Sequence, residues 1–586
     1  MKRYIIILLA AVGLFACQKQ LDLPSDGRIT LNDVFNDYDR VRGYLNSCYG
    51  YCPAPYMDRA YYTDEAQDAD DNTSNSKSSS WYSGGVSPQN YGSISMDGSP
   101  WGSLYEGIRK CNYFLANIGA SKTLASDAEK NSWIAQAHVL RALYYLQLIK
   151  RYGGGPLFDK PLELKHDYSK DSRASFSAIV TFILKDCDSA LMVPAVKPGF
   201  PWNIYDNQYG IMSRAVAYAI KSEAVTYAAS PLWTDGTYDW DKAKAITAEA
   251  LSQCLANDYK LFDEQPAPTV AQNGYALYHF ITSNDQRSRD KETILQVGNQ
   301  MQVWKNAGLP STPGVDHAGP NPTQDMIDKY EMANGLPAVL GYNDAAHLSP
   351  IINPASGYNP DSPYVGRDPR FYASIYYNDA LRFLDQPNGQ KVQTFVNGAD
   401  GISATNRKNT RTGYYLRKFN NFQSGQNNDA DGAIRLFRLA ELYLNFAEAA
   451  YQSVGPDVAV TVGSFSMSAR DAVSAVRARA GMPVFPAGMS KADFEKKYRN
   501  ERAVELAFEE HRFFDVRRWK ILSQTDKFVT GMRITKNGTT LTYTRFKFAD
   551  RASAADKYLM YPIDQTEINK IFQFTGKSWQ NPGWGD

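Results

Sequence analysis

Excess charge is the first thing this sequence lacks. Its 63 Lys and Arg against 62 Asp and Glu leave a net charge of +1. No stretch is dense in Lys or Arg, and nucleic acid is therefore excluded as an expected partner, because phosphate binding needs clustered positive charge. Histidine is scarce as well: the six, His138, His166, His279, His317, His347 and His511, form no pair at metal-ligand spacing. The chain also carries no G-x-S-x-G, no P-loop and no H-E-x-x-H. No metal, no cofactor and no enzyme activity are expected on these grounds. A glycoside hydrolase built on two carboxylates is the enzyme class that such absences leave untouched. The triple glycine Gly153-Gly154-Gly155 follows a helical stretch, where it serves as a stop, whereas a phosphate loop would precede one. An apolar run long enough to span a bilayer is missing too, since Tyr4 to Ala16 is too short.

That short run is an address. Lys2 and Arg3 form a positive start, Tyr4 to Ala16 an apolar middle, and Leu14-Phe15-Ala16-Cys17 the processing site. Ordinary signal cleavage wants small residues at −1 and −3. Leu14 at −3 with Cys17 at +1 fits lipoprotein processing instead, so residues 1–16 are read as a lipoprotein signal and Cys17 as a diacylated membrane anchor. Removing Cys17 leaves Cys48, Cys52, Cys111, Cys187 and Cys254, an odd number without framework spacing, read as buried thiols. Cys48 and Cys52 lie four apart on a helical stretch, where their side chains can also meet.

Helical periodicity dominates the rest. Ser126-x-x-Glu129 opens a helix on which Trp133, Ala137, Leu140, Tyr144 and Leu148 share a face. Further helices are expected at 101–118, 171–192, 213–229, 241–255, 435–452, 469–480 and 490–519. Ala and Tyr recurring on paired helices predict an all-α-dominated fold of tetratricopeptide-like hairpins, although no strict repeat of about 34 residues survives. Two loop-rich stretches differ in kind: 52–100, rich in Ser, Asp, Asn and Gly, and 260–428, punctuated by proline from Pro310 to Pro369. Long irregular segments in a compact protein usually carry function. The helix 490–519 places Arg502, Glu505, Glu509 and Arg512 on one face, which reads as a structural ladder of ion pairs along the helix. Trp101, Trp133, Trp233, Trp240 and Trp519 are expected in the core.

The chain resembles the SusD/RagB family of outer-membrane nutrient-binding lipoproteins. The resemblance is carried by the Cys17 lipobox, "WGSLYEGIRKCNYFLANI" from Trp101, "AQAHVLRALYYLQLIKRYGGGPL" from Ala135 and "NPTQDMIDKYEMANG" from Asn321. Further along come "GRDPRFYASI" from Gly366, "TGYYLRKF" from Thr412, "RLFRLAELYLNFAEAAY" from Arg435, "AVRARAGMP" from Ala475 and "RNERAVELAFEEHRFFDVRRW" from Arg499. It implies a single domain over 17–586: about four tetratricopeptide-like helix pairs, mainly 101–255 and 435–522, carrying a loop-rich ligand lobe, mainly 52–100 and 260–428. It also implies a cell-surface lipoprotein of the outer membrane that captures a glycan and delivers it to a partner TonB-dependent (SusC-like) transporter. A peptide ligand, or an envelope scaffold that takes no nutrient, is the alternative.

Capturing a sugar without cleaving it needs aromatic faces for ring C–H groups to stack on, with planar polar groups for hydroxyls. The 39 Tyr, 10 Trp and 27 Phe serve either that purpose or core filling. Trp81-Tyr82, flanked by Ser80, Ser83, Gly84 and Gly85, is read as a ligand platform or as a packing anchor for its own loop. In the family, binding aromatics come from this early loop and from the start of the central insertion. By region the resemblance therefore adds Trp304 and its polar neighbour Asn299. "DEAQDADDN", Asp64 to Asn72, lacks the glycine turn and the bidentate Glu of a calcium loop. It is read as a solvated acidic loop, or as a source of hydroxyl contacts through Asp68.

Overall fold

The computed structural model describes residues 29–585, apart from 54–56, 72–75, 95–99, 124, 203–208, 281–288, 298–302, 387–388 and 421–434. The signal 1–16, Cys17 and Asn299 lie outside the described residues.

The long helices pack in chain order. Pro100–Ile118 lies on Asp127–Tyr152, which lies on Phe176–Leu191, then Arg214–Ala228, then Trp240–Ala256. The next neighbour of Trp240–Ala256 is Leu439–Ser453, followed by Ala469–Arg479 and Lys491–Glu505. The array thus resumes as though the intervening insertion were absent, and the fold is helix-rich and tetratricopeptide-like. Local chemistry sets the ends. The Ser126 hydroxyl accepts from the Glu129 amide, 3.2 Å, and Gly153 closes the helix in left-handed backbone at φ 78°. Between them Ala137, Leu140, Tyr144 and Leu148 are fully buried. Helix Arg214–Ala228 is buried almost all round, and its alanines let neighbouring backbones approach closely. No disulfide links the five cysteines of the described residues. Trp101, Trp133 and Trp519 are core residues, whereas Trp233 and Trp240 are half-buried at its edge.

The insertion leaves and returns through one ladder. Thr293–Gln296 pairs antiparallel with Arg435–Arg438, with Thr293 opposite Arg438. The expected helix start at 435 is therefore a strand, and the helix begins at Leu439. Every sheet among the described residues has two strands, so the lobe is held by loops around a second core that includes Met326, Tyr330, Phe371 and Tyr414.

The stretch 490–519 is not one helix. Lys491–Glu505 ends in a turn where Phe508 and Glu510 take left-handed backbone, φ 61° and 69°, before His511–Arg518 resumes. The ladder along a helix is accordingly replaced by pairs to distant segments. Arg512 meets Asp64 at 2.7 Å, Arg502 meets Asp515 at 2.7 Å, and Glu505 meets Arg370 at 3.0 Å and Arg438 at 2.7 Å. Glu509 meets Lys418 at 2.7 Å and Arg438 at 2.8 Å, while Glu501 meets Arg370 and Arg477 at 2.6 Å each. Burial pushes the Glu501 and Glu509 carboxyls up, but the adjacent cations outweigh it and hold both at about 2. The charges clamp the array to the lobe, since Arg370 and Lys418 belong to the insertion and Asp64 to the early loop.

Candidate functional site

The early loop and the insertion are stitched together. Ala66–Asp68 pairs antiparallel with Pro320–Pro322, and the Ala69 amide donates to the Gly319 carbonyl, 3.1 Å. Asp70 and Asp71 pair with Arg407 and Arg411. Directly before Gly319, the chain 303–319 folds back on itself: Val303–Asn306 makes one helical turn, and the Asp316 amide donates to the Lys305 carbonyl, 2.9 Å. Gly308 is required there, because a Cβ would sit 1.8 Å from the Trp304 carbonyl oxygen. Gly314, at φ 84°, lets the chain pass the edge of the Trp304 indole.

This fold-back leaves Trp304 half-buried on the wall of a shallow cleft. Leu309 and Tyr376 line it as well, and both belong to a small core that also contains Ala69, Val392 and Tyr415. The other side is a looped pair of segments joined by Asp379–Val392 and Arg382–Gln390 backbone bonds of 2.9 Å, which carries Arg382 and Phe383. Arg382 is 6% exposed; its guanidinium lies 4.4 Å from the Phe383 ring centre and donates to Gln390 Oε1 at 3.1 Å. Burial lowers its pKa. Asn420 completes the cleft: its Nδ2 donates to the Leu416 carbonyl at 3.2 Å, while its buried Oδ1 accepts nothing among the described residues. An aromatic wall, a guanidinium and an unmet acceptor are the groups that hold a hydroxyl-bearing ring.

The residues expected from sequence divide. Trp304 stands in the cleft. Trp81 does not: it is 1% exposed, in the short helix Lys77–Tyr82, with Tyr62, Phe513, Tyr558 and Tyr561 around its ring at centroid distances of 4.9–6.2 Å. No face of it is left for a sugar, so the packing-anchor reading replaces the platform. Tyr82 is half-buried; its hydroxyl donates to the Tyr61 carbonyl at 2.7 Å, and Arg551 covers its ring at 4.3 Å. Asp68 is buried, bonded by Ser78 and by the Asp70 amide, and burial raises its carboxyl to about 6. From Asp64 to Ala69 the acidic loop is therefore buried, with Ala66–Asp68 a paired strand, rather than solvated. No group of three or more His, Cys, Asp or Glu among the described residues is arranged to hold a metal ion. Sequence reasoning missed Tyr376, Arg382, Phe383 and Asn420, whose signal was an Arg and aromatics set in the proline-punctuated segment without helical period.

A roomier groove of about 360 Å³ lies on the helical side, between Pro100–Ile118 and 158–168. Of its polar groups, the Asn112 amide is spent on the Phe158 and Lys160 carbonyls and the Tyr105 hydroxyl on the Pro156 carbonyl, while Arg109, Lys160, Glu163 and Tyr168 also line it. It lies on the array, apart from the cleft that holds Trp304.

Comparison with known families decides the lineage. Residues 310–584 match the SusD family, and 21–219 match a family described as starch-binding and associating with the outer membrane. The chain belongs to the SusD/RagB family. Among solved structures, this SusD-family protein is similar to a SusD-like protein of Bacteroides fragilis (TM-score 0.74, 26% identity, 95% of this chain and 99% of that one). It also resembles a SusD-like carbohydrate binding protein of the same species (TM-score 0.65, 20% identity, 92% and 99%). A laminarin binding SusD-like protein shares the fold at TM-score 0.53 and 20% identity, over 94% and 100%. A SusD-like protein of Formosa agariphila is 23% identical over 430 residues, 72% of this chain and 70% of that one. Trp304 falls between the two matched stretches, and Tyr376, Arg382 and Asn420 fall inside 310–584.

Proposed function

We propose that this protein is a lipoprotein, tethered through Cys17 at the surface of the outer membrane, that binds an oligo- or polysaccharide without cleaving it and passes it to a TonB-dependent transporter. The observation that carries the reading is the cleft itself: half-buried Trp304 beside Arg382, on the loop lobe of a SusD-family fold. A sugar ring stacks on the indole, its hydroxyls accept from Arg382, and nothing in this arrangement calls for a nucleophile. The lobe is clamped to the array, which keeps the cleft walls in register in the absence of ligand. Relatives described as carbohydrate-binding and laminarin-binding favour a glycan over a peptide. A shallow site of this kind gives micromolar or weaker affinity, about −8 kcal/mol or smaller in magnitude, and avidity along a polymer compensates. Delivery is tested by co-purification: the tagged protein retains a TonB-dependent barrel from detergent-solubilised outer membranes of its native host, and recovery of no barrel contradicts that half of the reading.

A further inference from the structure

Resting on the glycan reading above, we infer that the ligand is an acidic glycan, carrying a carboxylate or a sulfate ester that Arg382 receives. Most of this chain's other buried arginines sit against carboxylates. Arg370, Arg438, Arg477, Arg502, Arg512 and Arg518 each stand within 2.6–2.8 Å of a carboxylate oxygen. That is what a buried cation requires. Arg367 and Arg517 lack such a partner, yet each is enclosed by backbone carbonyls at 2.6–2.9 Å. Arg382 follows neither pattern.

It is 6% exposed, forms no ion pair among the described residues, and uses one bond, to Gln390 Oε1. A guanidinium has five donors in a planar fork, and the others are left to the cleft that Arg382 lines. The carboxylate that bears on it, Asp400, is committed elsewhere, accepting the Ser311 amide at 3.1 Å and the Gln393 amide at 3.0 Å. Phe383 on one face of the fork and Gln390 at its end fix its orientation. Such a planar fork matches a carboxylate or sulfate in two parallel, charge-assisted bonds, roughly twice as strong as those it makes to neutral hydroxyls. Trp304 then stacks on the ring of the same sugar, so charge and stacking act on one residue of the glycan.

The test is isothermal titration of the full-length protein in detergent with oligogalacturonate, sulfated carrageenan oligosaccharide and neutral laminari-oligosaccharide. Wild type, Arg382→Gln, Arg382→Lys and Trp304→Ala are compared, with melting temperatures as the folding control. The inference expects one acidic probe to bind about tenfold or more tighter than the neutral one, with affinity falling as salt rises. Arg382→Gln should lose about tenfold for that probe, and Arg382→Lys should lose less. Which acidic probe binds separates a carboxylate from a sulfate. Neutral oligosaccharide bound as tightly as the acidic ones, or Arg382→Gln without effect on a correctly folded protein, overturns the acidic assignment. In that case Trp304→Ala still abolishing binding leaves the glycan reading intact. Binding of no probe, acidic or neutral, overturns both.

Discussion

Replacing Arg438 with Met should cost this protein more than any single surface change, and the size of the loss follows from its contacts. Its guanidinium is 1% exposed and meets Glu509 at 2.8 Å, Glu292 at 2.8 Å, Glu505 at 2.7 Å and the Glu505 carbonyl at 2.8 Å. Methionine fills most of the volume but leaves those carboxylates buried. Glu509 keeps Lys418, Glu505 keeps Arg370 and Arg479, and Glu292 keeps Arg479, so each remains partly compensated. Breaking a buried pair from one side costs roughly 3–5 kcal/mol, and retained partners place Arg438→Met near the lower figure. The effect should also be directional, because Glu292 lies directly before the outgoing strand Thr293–Gln296 and Arg438 on the returning one. Urea unfolding would read the stability loss, and limited proteolysis would show new cleavage within 260–428 before the helical array is cut. Arg499→Met is the control, since its partner Glu495 is about as exposed as Arg499 itself and the pair lies four apart on one helix; it should change stability by about 0.5 kcal/mol or less. Equal losses in the two variants, or a loss in Arg438→Met below about 1 kcal/mol, would refute the clamp.

Further expectations concern pH, packing and the cleft. Burial raises the Glu65 carboxyl to about 8, against about 4.3 when unfolded. The folded state therefore holds an extra proton between those values, so this contribution is complete below the lower pKa and is lost as pH rises through the higher one. Glu65→Gln should flatten that loss and be the more stable form above pH 8, as read by melting temperature across pH. Trp81→Ala should cost roughly 3–5 kcal/mol as a cavity in an aromatic core, while ligand affinity measured on the folded fraction stays unchanged. Gly308→Ala should weaken ligand binding by displacing Trp304, because its Cβ would sit 1.8 Å from the Trp304 carbonyl oxygen, and titration against the same ligand reads it.

The helical array was legible because its signals are local. Ser126, Asp239, Ser468 and Ser490 each cap the helix that follows them, and Gly153 stops one, so caps and period 3.6 fix these elements within a few residues. What sequence could not show depended on partners far along the chain. Trp81 looks exposed among Ser and Gly until Phe513, Tyr558 and Tyr561 arrive from the carboxyl end to bury it. The spacing of Arg502, Glu505, Glu509 and Arg512 fits a helix face, yet the left-handed Phe508 and Glu510 break the helix and longer-range pairs with Arg438, Lys418 and Asp64 take over. Arg435–Arg438 reads as the first turn of a helix until Thr293–Gln296 claims it as a strand. The cleft lay within reach only through Trp304; Arg382 and Asn420 carry no pattern of their own, and their meaning comes from what surrounds them.

The most direct measurement of the central claim is titration of the protein and of Trp304→Ala with a panel of neutral, acidic and sulfated polysaccharides, with melting temperatures recorded for both. The account predicts saturable binding to one glycan class that Trp304→Ala abolishes while the fold stays as stable as wild type. Binding that survives Trp304→Ala would place the site elsewhere on the molecule, and no binding across the panel would contradict the glycan-capture reading itself.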